Sequence, residues 1–439
     1  MRLGQIVVDV SPARTSRSFR LLLVCRTIVL LSAGFIAVAV PVQVYRLTDS
    51  SLQVGLVSLA LGVALIAGFA VGGVLADRMD RRGLILSSSV GVAVSFAVFT
   101  ANAAIPSDAQ LTVIYLVVII GGMLEGVGET ALTAVTPALV ERDQLVAGSG
   151  LISVTTQLGA IAGPALGGVA LAAFDLSGAY GGATAAIVVS TLLLTRLPAL
   201  PPVPDDDEPE DAEKAGALAS IGEALRFVRG NQVIAGVLLI DLFATGFGLP
   251  QTLFPQMVDE RFHGGPEMVG ALAAAPAVGA LIASITSGWT GHVRKPGAAL
   301  IAAVLALGVA YIGFGLSPNL AVALLFLAAV GAVDSISEIL RRALLQHHTP
   351  DRLQGRVTSL WLAQSSTGYS LGSTTSGIAA GFVGPGLAII GAGALCVISV
   401  AGLAAAAPGL RAATLGVSST SDPDGVIGGT EEPLGNRQG

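Results

Sequence analysis

Twelve apolar runs, each long enough to cross a lipid bilayer as a helix, recur along the 439-residue chain, at about 21–44, 53–75, 84–105, 111–134, 147–173, 178–197, 233–254, 268–288, 297–316, 320–340, 357–382 and 386–407. A hydrocarbon core takes about 20 apolar residues to span, and inside it every backbone amide must find its partner within a helix or a closed barrel. Runs of this length exclude a water-soluble globular domain and define an all-α membrane protein of twelve transmembrane helices. Composition agrees, since 12% of residues are charged against about 25% in a soluble domain.

Basic residues set the expected threading. With the N-terminus inside, 20 of the 23 Lys and Arg side chains fall in inner loops and tails, Arg341 and Arg342 among them, two (Arg46, Arg261) fall outside, and Arg26 sits within the first span. That asymmetry is the positive-inside pattern, so both termini are expected in the cytoplasm and the chain in the inner membrane. Residues 1–20 carry four arginines ahead of the first apolar run. The run is too long for the apolar region of a cleaved signal and reads as the first span.

Five segments follow: 1–20, a cytoplasmic leader; 21–197, a six-helix half; 198–229, a linker with Pro198, Pro201, Pro202 and Pro204, an acidic run and an interfacial helix; 230–407, a second six-helix half; and 408–439, a disordered cytoplasmic tail. The halves are related. A shift of 209 places Glu125 on Asp334, Glu129 on Glu338, Gly159 on Gly368, Gly163 on Gly372 and Gly168 on Gly377. Spans four and five therefore correspond to ten and eleven. Two similar halves suit a secondary transporter, in which one half rocks against the other around a midplane site.

Cys25 and Cys396 lie far apart in apolar stretches and read as small core residues, without a disulfide or metal role. No phosphate-binding GxxxxGK loop is present, and His263, His292, His347 and His348 lack metal-ligand spacing. No cofactor, metal or nucleic acid is expected, and no enzymatic activity. The partners expected are a small-molecule substrate, protons and the lipid bilayer, with the chain acting as a monomer.

Ionisable groups at membrane depth are costly and so are functional candidates. Glu125 and Glu129 stand one turn apart on span four, Asp334 and Glu338 one turn apart on span ten, and Asp241 lies near the middle of span seven. Glu125, Glu129, Asp241 and Asp334 are candidates for exchanging protons or holding a polar substrate; Glu338 is expected to pair with Arg341 or Arg342. Arg26 is expected to reach the interface or an acid. Gln43, Trp361 and Gln364 are candidate cavity residues, and Gln157, Gln251 and Tyr369 carry groups of the same kind.

Two motifs connect these features to a known family. Gly73, Asp77, Arg78, Arg81 and Arg82, following span two, resemble the signature loop of the major facilitator superfamily, with Asp80 where a glycine is usual. In that reading Gly73 admits a neighbouring helix and Asp77 caps or pairs at a helix end. Gly159, Gly163, Pro164, Gly167 and Gly168 resemble the motif characteristic of exporters and antiporters of that superfamily. Further stretches, Ala39 to Gln43, Gln53 to Leu56, Gly72 to Arg78, Thr136 to Val140, Leu197 to Pro202, and Gly355, Arg356, Leu360, Trp361, Ala363, Gln364, Thr367 and Gly368, look like the enterobactin exporter branch. The resemblance implies a major facilitator fold and proton-driven export of a catecholate or related siderophore. It departs from the superfamily's drug exporters, which commonly carry an arginine in span four where this chain has only acids. A multidrug or macrolide efflux pump of the same fold stays open as an alternative, as does, from another class, a non-transporting membrane receptor or membrane enzyme.

Overall fold

Polar caps set where the helices begin. The Ser16 hydroxyl accepts from the Phe19 amide at 3.1 Å, so α1 runs Arg17–Thr48 and starts ahead of its apolar run. Asp49 turns the chain in the left-handed region, with φ 48°, and Ser50 caps α2, Ser51–Arg78. Asp80 accepts from the Gly83 amide at 3.2 Å and opens α3, Arg81–Ala104. Such capping oxygens satisfy amides that have no partner within the helix. The position where a glycine is usual thus serves here as a helix cap.

The remaining helices are α4, Gln110–Leu139; α5 and α6, which share the continuous segment Leu145–Leu194; α7, Gln232–Gly246; α8, Pro266–Thr286; α9, Pro296–Leu316; α10, Leu320–His348; α11, Asp351–Val383; and α12, Pro385–Ala406. The computed structural model describes residues 11–140, 144–198, 222, 225–247, 251–287 and 293–414. The acidic run 205–213 and the tail 415–439 lie outside the described residues.

Among the described residues ten helices are long and apolar enough to span a membrane. One of them bends at Asp175 (φ 59°, ψ −179°) and is two spans, α5 (145–174) and α6 (176–194). To these α11 adds a span that its serines and threonines keep below the apolarity of the others. Twelve crossings result, as expected from the sequence. The segment after 408 differs from expectation. Pro408–Ala412 is helical, the Gly409 amide donates to Gln232 at 3.2 Å, and Leu410 is fully buried. Gly236 and Gly297 leave the space this leucine fills.

Each half builds its own core, α1 against α5 and α6 and α2 against α4 in the first, α8 against α10 and α9 against α12 in the second. The halves meet through α2 with α11 and through α5 with α8. Glycines explain the close approach. A methyl at Gly163 would sit 2.9 Å from Gly34 Cα on α1, and one at Gly168 would sit 2.9 Å from Gly270 Cα on α8. Their repeat partners behave alike: Gly372 faces Thr245 and Gly246 on α7, and Gly377 faces Ser51 and Leu52 on α2. One glycine ridge per half thus seats that half's first helix, and the last glycine of each ridge touches the opposite half.

Contacts between the halves gather at the end distant from residues 11 and 414. There Ser51 donates to Gln256 at 2.5 Å, Thr374 donates to the Gly55 carbonyl at 3.4 Å, and Gly168 meets Gly270.

Candidate functional site

One face of α1 opens onto a cavity of about 530 Å³ inside the first half. Residues 26, 29, 30, 33, 36, 37, 40 and 44 line it at helical spacing, opposite faces of α2, α3, α4 and α6. Gln251, Thr252 and Ser373 of the second half close it at the end where the halves touch. The volume is that of a drug-sized ligand. Its walls are mainly apolar, with Phe96 and Phe99 beside Ser88, Ser89 and Ser95.

Charge enters this cavity at one level. Arg26 on α1 holds Glu129 on α4 with both terminal nitrogens, at 2.8 and 3.0 Å. The grip uses Nη1 and Nη2, and leaves Arg26 Nε buried without a partner among the described residues. One turn earlier on α4, Glu125 lines the same cavity, and no hydrogen bond or ion pair reaches it among the described residues.

The second half holds its charges differently. Arg341 Nη1 lies 2.5 Å from Asp241 on α7 and Nη2 lies 3.2 Å from Asp334 on its own helix. Ser365 on α11 donates to the other Asp241 oxygen at 2.5 Å. Arg341 and Asp241 side chains are 4% and 2% exposed, while Asp334 is 31% exposed. Two buried charges are tolerated because they pair and hydrogen-bond. Both clusters tie the first helix of a half to its fourth, yet the cation stands on the first helix in one half and on the fourth in the other.

Other candidates fall in place around these clusters. Glu338 pairs with Arg342 at 2.6 Å, and the Arg342 guanidinium stands 5.4 Å over the Trp361 ring. Trp361 is 6% exposed, with Nε1 unpartnered among the described residues. Gln364 donates to the Leu238 carbonyl at 2.7 Å, joining α11 to α7. Gln43 is buried and accepts from Tyr180 at 2.9 Å. None of these three lines the large cavity, whereas Gln251 does.

In the loop after α2, Arg82 donates to the Thr195 carbonyl at 2.7 Å and so binds the end of the first half's last helix, while Arg81 reaches the Ala76 carbonyl at 3.3 Å. The side chains of Asp77 and Arg78 lie outside the described residues. The expectation that Gly73 admits a neighbouring helix is corrected. Among the described residues a methyl there would meet nothing within 4 Å. Gly68 and Gly72 face α4 instead, at Met123, Gly126 and Val127, and Gly73, one residue on, points about 100° away. Pro164, inside the glycine ridge, presents its ring to Gly34 and its carbonyl to Gly270.

Arg341 is the residue the sequence reading misplaced. The apolar run ends at Leu340, which predicts an inner loop for Arg341, but α10 continues to His348. Its spacing of seven from Asp334, two turns on one face, is the signal that would have found it.

Twelve spans in two related halves, joined through glycine-lined seams and enclosing a cavity with ionisable walls, define a membrane transporter. The chain belongs to the Major Facilitator Superfamily, whose family profile matches residues 22–256 and 242–421. It is 35% identical to the enterobactin exporter EntS of Citrobacter koseri over 371 residues, covering 84% of this chain and 87% of that one. To EntS of Escherichia coli O1:K1 it is 34% identical over the same length and coverage. Among solved structures it is similar to a mutant of the peptide transporter POT (TM-score 0.71, 12% identity, 90% of this chain and 95% of that one). The nucleoside transporter NupG gives a TM-score of 0.69 at 14% identity, over 89% and 98%. These structures share the fold. The protein is a multi-pass secondary transporter of the superfamily.

Proposed function

We propose that the protein exports a siderophore of the enterobactin type out of the cytoplasm across the inner membrane, driven by the proton gradient. The observation that carries this reading is the 34–35% identity to enterobactin exporters along 84% of the chain. The cavity supports it, since an aromatic cargo with many hydroxyls suits phenylalanine walls interrupted by serines and a carboxyl. With the termini in the cytoplasm, as the basic residues favour, the end where the halves touch faces outward. The structure is then the inward-facing state, ready to load from the cytoplasm.

Coupling needs an acid that changes protonation during the cycle. Glu125, Glu129, Asp241 and Asp334 are the candidates, and of the two acids on Arg341, Asp334 has the greater exposure and the longer contact. Closure of the terminal end would bring in the signature loop, Gly73, Asp77, Arg78, Arg81 and Arg82. The glycine ridge Gly159, Gly163, Pro164, Gly167 and Gly168 would serve as the seam on which α1 and α8 move. One chain suffices for this scheme, as a monomer in the bilayer.

A deletion strain tests the reading. It should retain the siderophore inside, secrete less of it and grow poorly when iron is scarce, with tolerance to unrelated drugs nearly unchanged. Unchanged secretion together with new sensitivity to several lipophilic drugs would overturn it in favour of multidrug efflux.

A further inference from the structure

The residues that lead from α7 toward α8 change helix type twice, from a 3-10 turn (Gln251–Leu253) through a short α-turn (Phe254–Met257) to a π-helical turn (Val258–Phe262). Turns of the last kind are rare and concentrate at functional sites. One side of this segment is built into the second half. Leu253, Phe254 and Met257 are almost wholly buried, and the Phe254 ring stands edge-on to Phe314 of α9 at 5.8 Å. Arg261 donates to the Gly315 carbonyl at 2.6 Å, and Thr252 donates to the Ser373 carbonyl of α11 at 3.4 Å. Anchored in this way, the segment moves with the second half. Its other side meets the first half. At the inner end Gln251 and Thr252 close the cavity. At the outer end Gln256 Oε1 accepts from the Ser51 hydroxyl of α2 at 2.5 Å, and Gln256 Nε2 donates to Glu260 at 2.8 Å. Ser51 is 4% exposed, whereas Glu260 is exposed. An ionised carboxylate only accepts, so Glu260 turns the amide nitrogen toward itself and the amide oxygen toward Ser51.

We propose that residues 251–262 are the outer gate of the transporter, that Gln256 is its latch on Ser51, and that Glu260 is the positioning residue that holds the Gln256 amide in register. To open outward, α2 parts from this segment. The Ser51–Gln256 bond then breaks, both groups pass to water, and Gln251 and Thr252 withdraw from the cavity with the second half that carries them. Water replaces most of what the broken bond supplied, so the latch biases the closed outer gate without locking it. The proposal rests on the inward-facing reading above and is independent of which cargo is carried.

The test is labelling of intact cells with a membrane-impermeant maleimide added outside. One reporter, Ser58→Cys on the cavity wall, is placed in the full-length chain after Cys25 and Cys396, both buried, are replaced by alanine. With the latch intact, labelling should be slow. Gln256→Ala and Ser51→Ala should each raise its rate about two- to tenfold, the worth of one hydrogen bond. The two together should raise it no further than either alone, because they break the same bond. Glu260→Ala should give a smaller rise, and none where Ser51 is already alanine. Ser51→Ala leaves the Ser50 cap of α2 in place, and with Glu260→Ala it carries the test if Gln256→Ala fails to fold. Rates that the latch variants leave unchanged, or a double variant whose rise is the product of the single ones, would overturn the latch while leaving the transport reading standing. Fast labelling with the latch intact, slowed by the variants, would put the touching end in the cytoplasm and overturn the inward-facing reading itself.

Discussion

Arg341 on α10 and Asp241 on α7 form a buried ion pair, 2.5 Å between Nη1 and Oδ1, with both side chains almost wholly withdrawn from solvent. Asp334 holds the guanidinium from the other side and Ser365 holds Asp241 from α11. Three helices of the second half therefore depend on one charge balance.

Breaking that balance should be costly, and restoring it should recover much of the loss. Removing one partner of a buried pair costs about 3–5 kcal/mol, because the other charge is left uncompensated. Arg341→Gln strands Asp241 and should lower thermal stability in detergent sharply. The double variant Arg341→Gln with Asp241→Asn leaves only Asp334, which can reach solvent, and should regain most of the melting temperature. Additive losses in the double variant would show that the pair is not the coupled unit described.

Gly72 and Gly73 are neighbours in sequence with opposite surroundings. A methyl at Gly72 would sit 2.8 Å from Val127 Cα, whereas one at Gly73 would meet nothing within 4 Å among the described residues. Gly72→Val should therefore destabilise the protein by overpacking, at a cost of about 1–3 kcal/mol. Gly73→Val should fold and melt like the wild type, and lose transport if this face closes during the cycle. Equal melting temperatures for the two variants would contradict the packing.

The loop after α2 separates stability from transport in the same way. Asp80 caps α3, so Asp80→Ala should cost about 1 kcal/mol while Asp80→Asn, an equally good cap, should cost little. Asp77→Asn should leave insertion intact and reduce transport more than Asp80→Asn does. Transport and melting curves on the same membrane preparations distinguish the two roles.

The repeat, the spans and the glycine ridges were legible because each is a periodic signal. A shift of 209 found Gly163 and Gly372, and the structure gives both the same task, seating the first helix of their half. Glu125, Glu129, Asp241 and Asp334 were legible as charges at apolar depth, although which of them takes which cation was not. Arg341 lay just past an apolar run, and hydropathy cannot tell a helix that ends from one that continues into the protein interior. Gln43 looked like a cavity amide, but whether an amide faces a ligand or a buried tyrosine depends on helix rotation. Gly73 and Gly72 could not be told apart for the same reason.

Four neutralisations ask where coupling lies. Among Glu125→Gln, Glu129→Gln, Asp241→Asn and Asp334→Asn, at least one should abolish uphill transport yet permit downhill exchange. If every variant that inserts and folds still concentrates substrate against a gradient, the acids are structural and protons are coupled elsewhere.

The central claim is outward, proton-driven movement of a siderophore, and inverted membrane vesicles measure it most directly. Under an imposed proton gradient, vesicles containing the protein should accumulate iron-free enterobactin above the external level, and an uncoupler should abolish the accumulation. Accumulation of lipophilic drugs in its place, with enterobactin no higher than in vesicles lacking the protein, would contradict the account.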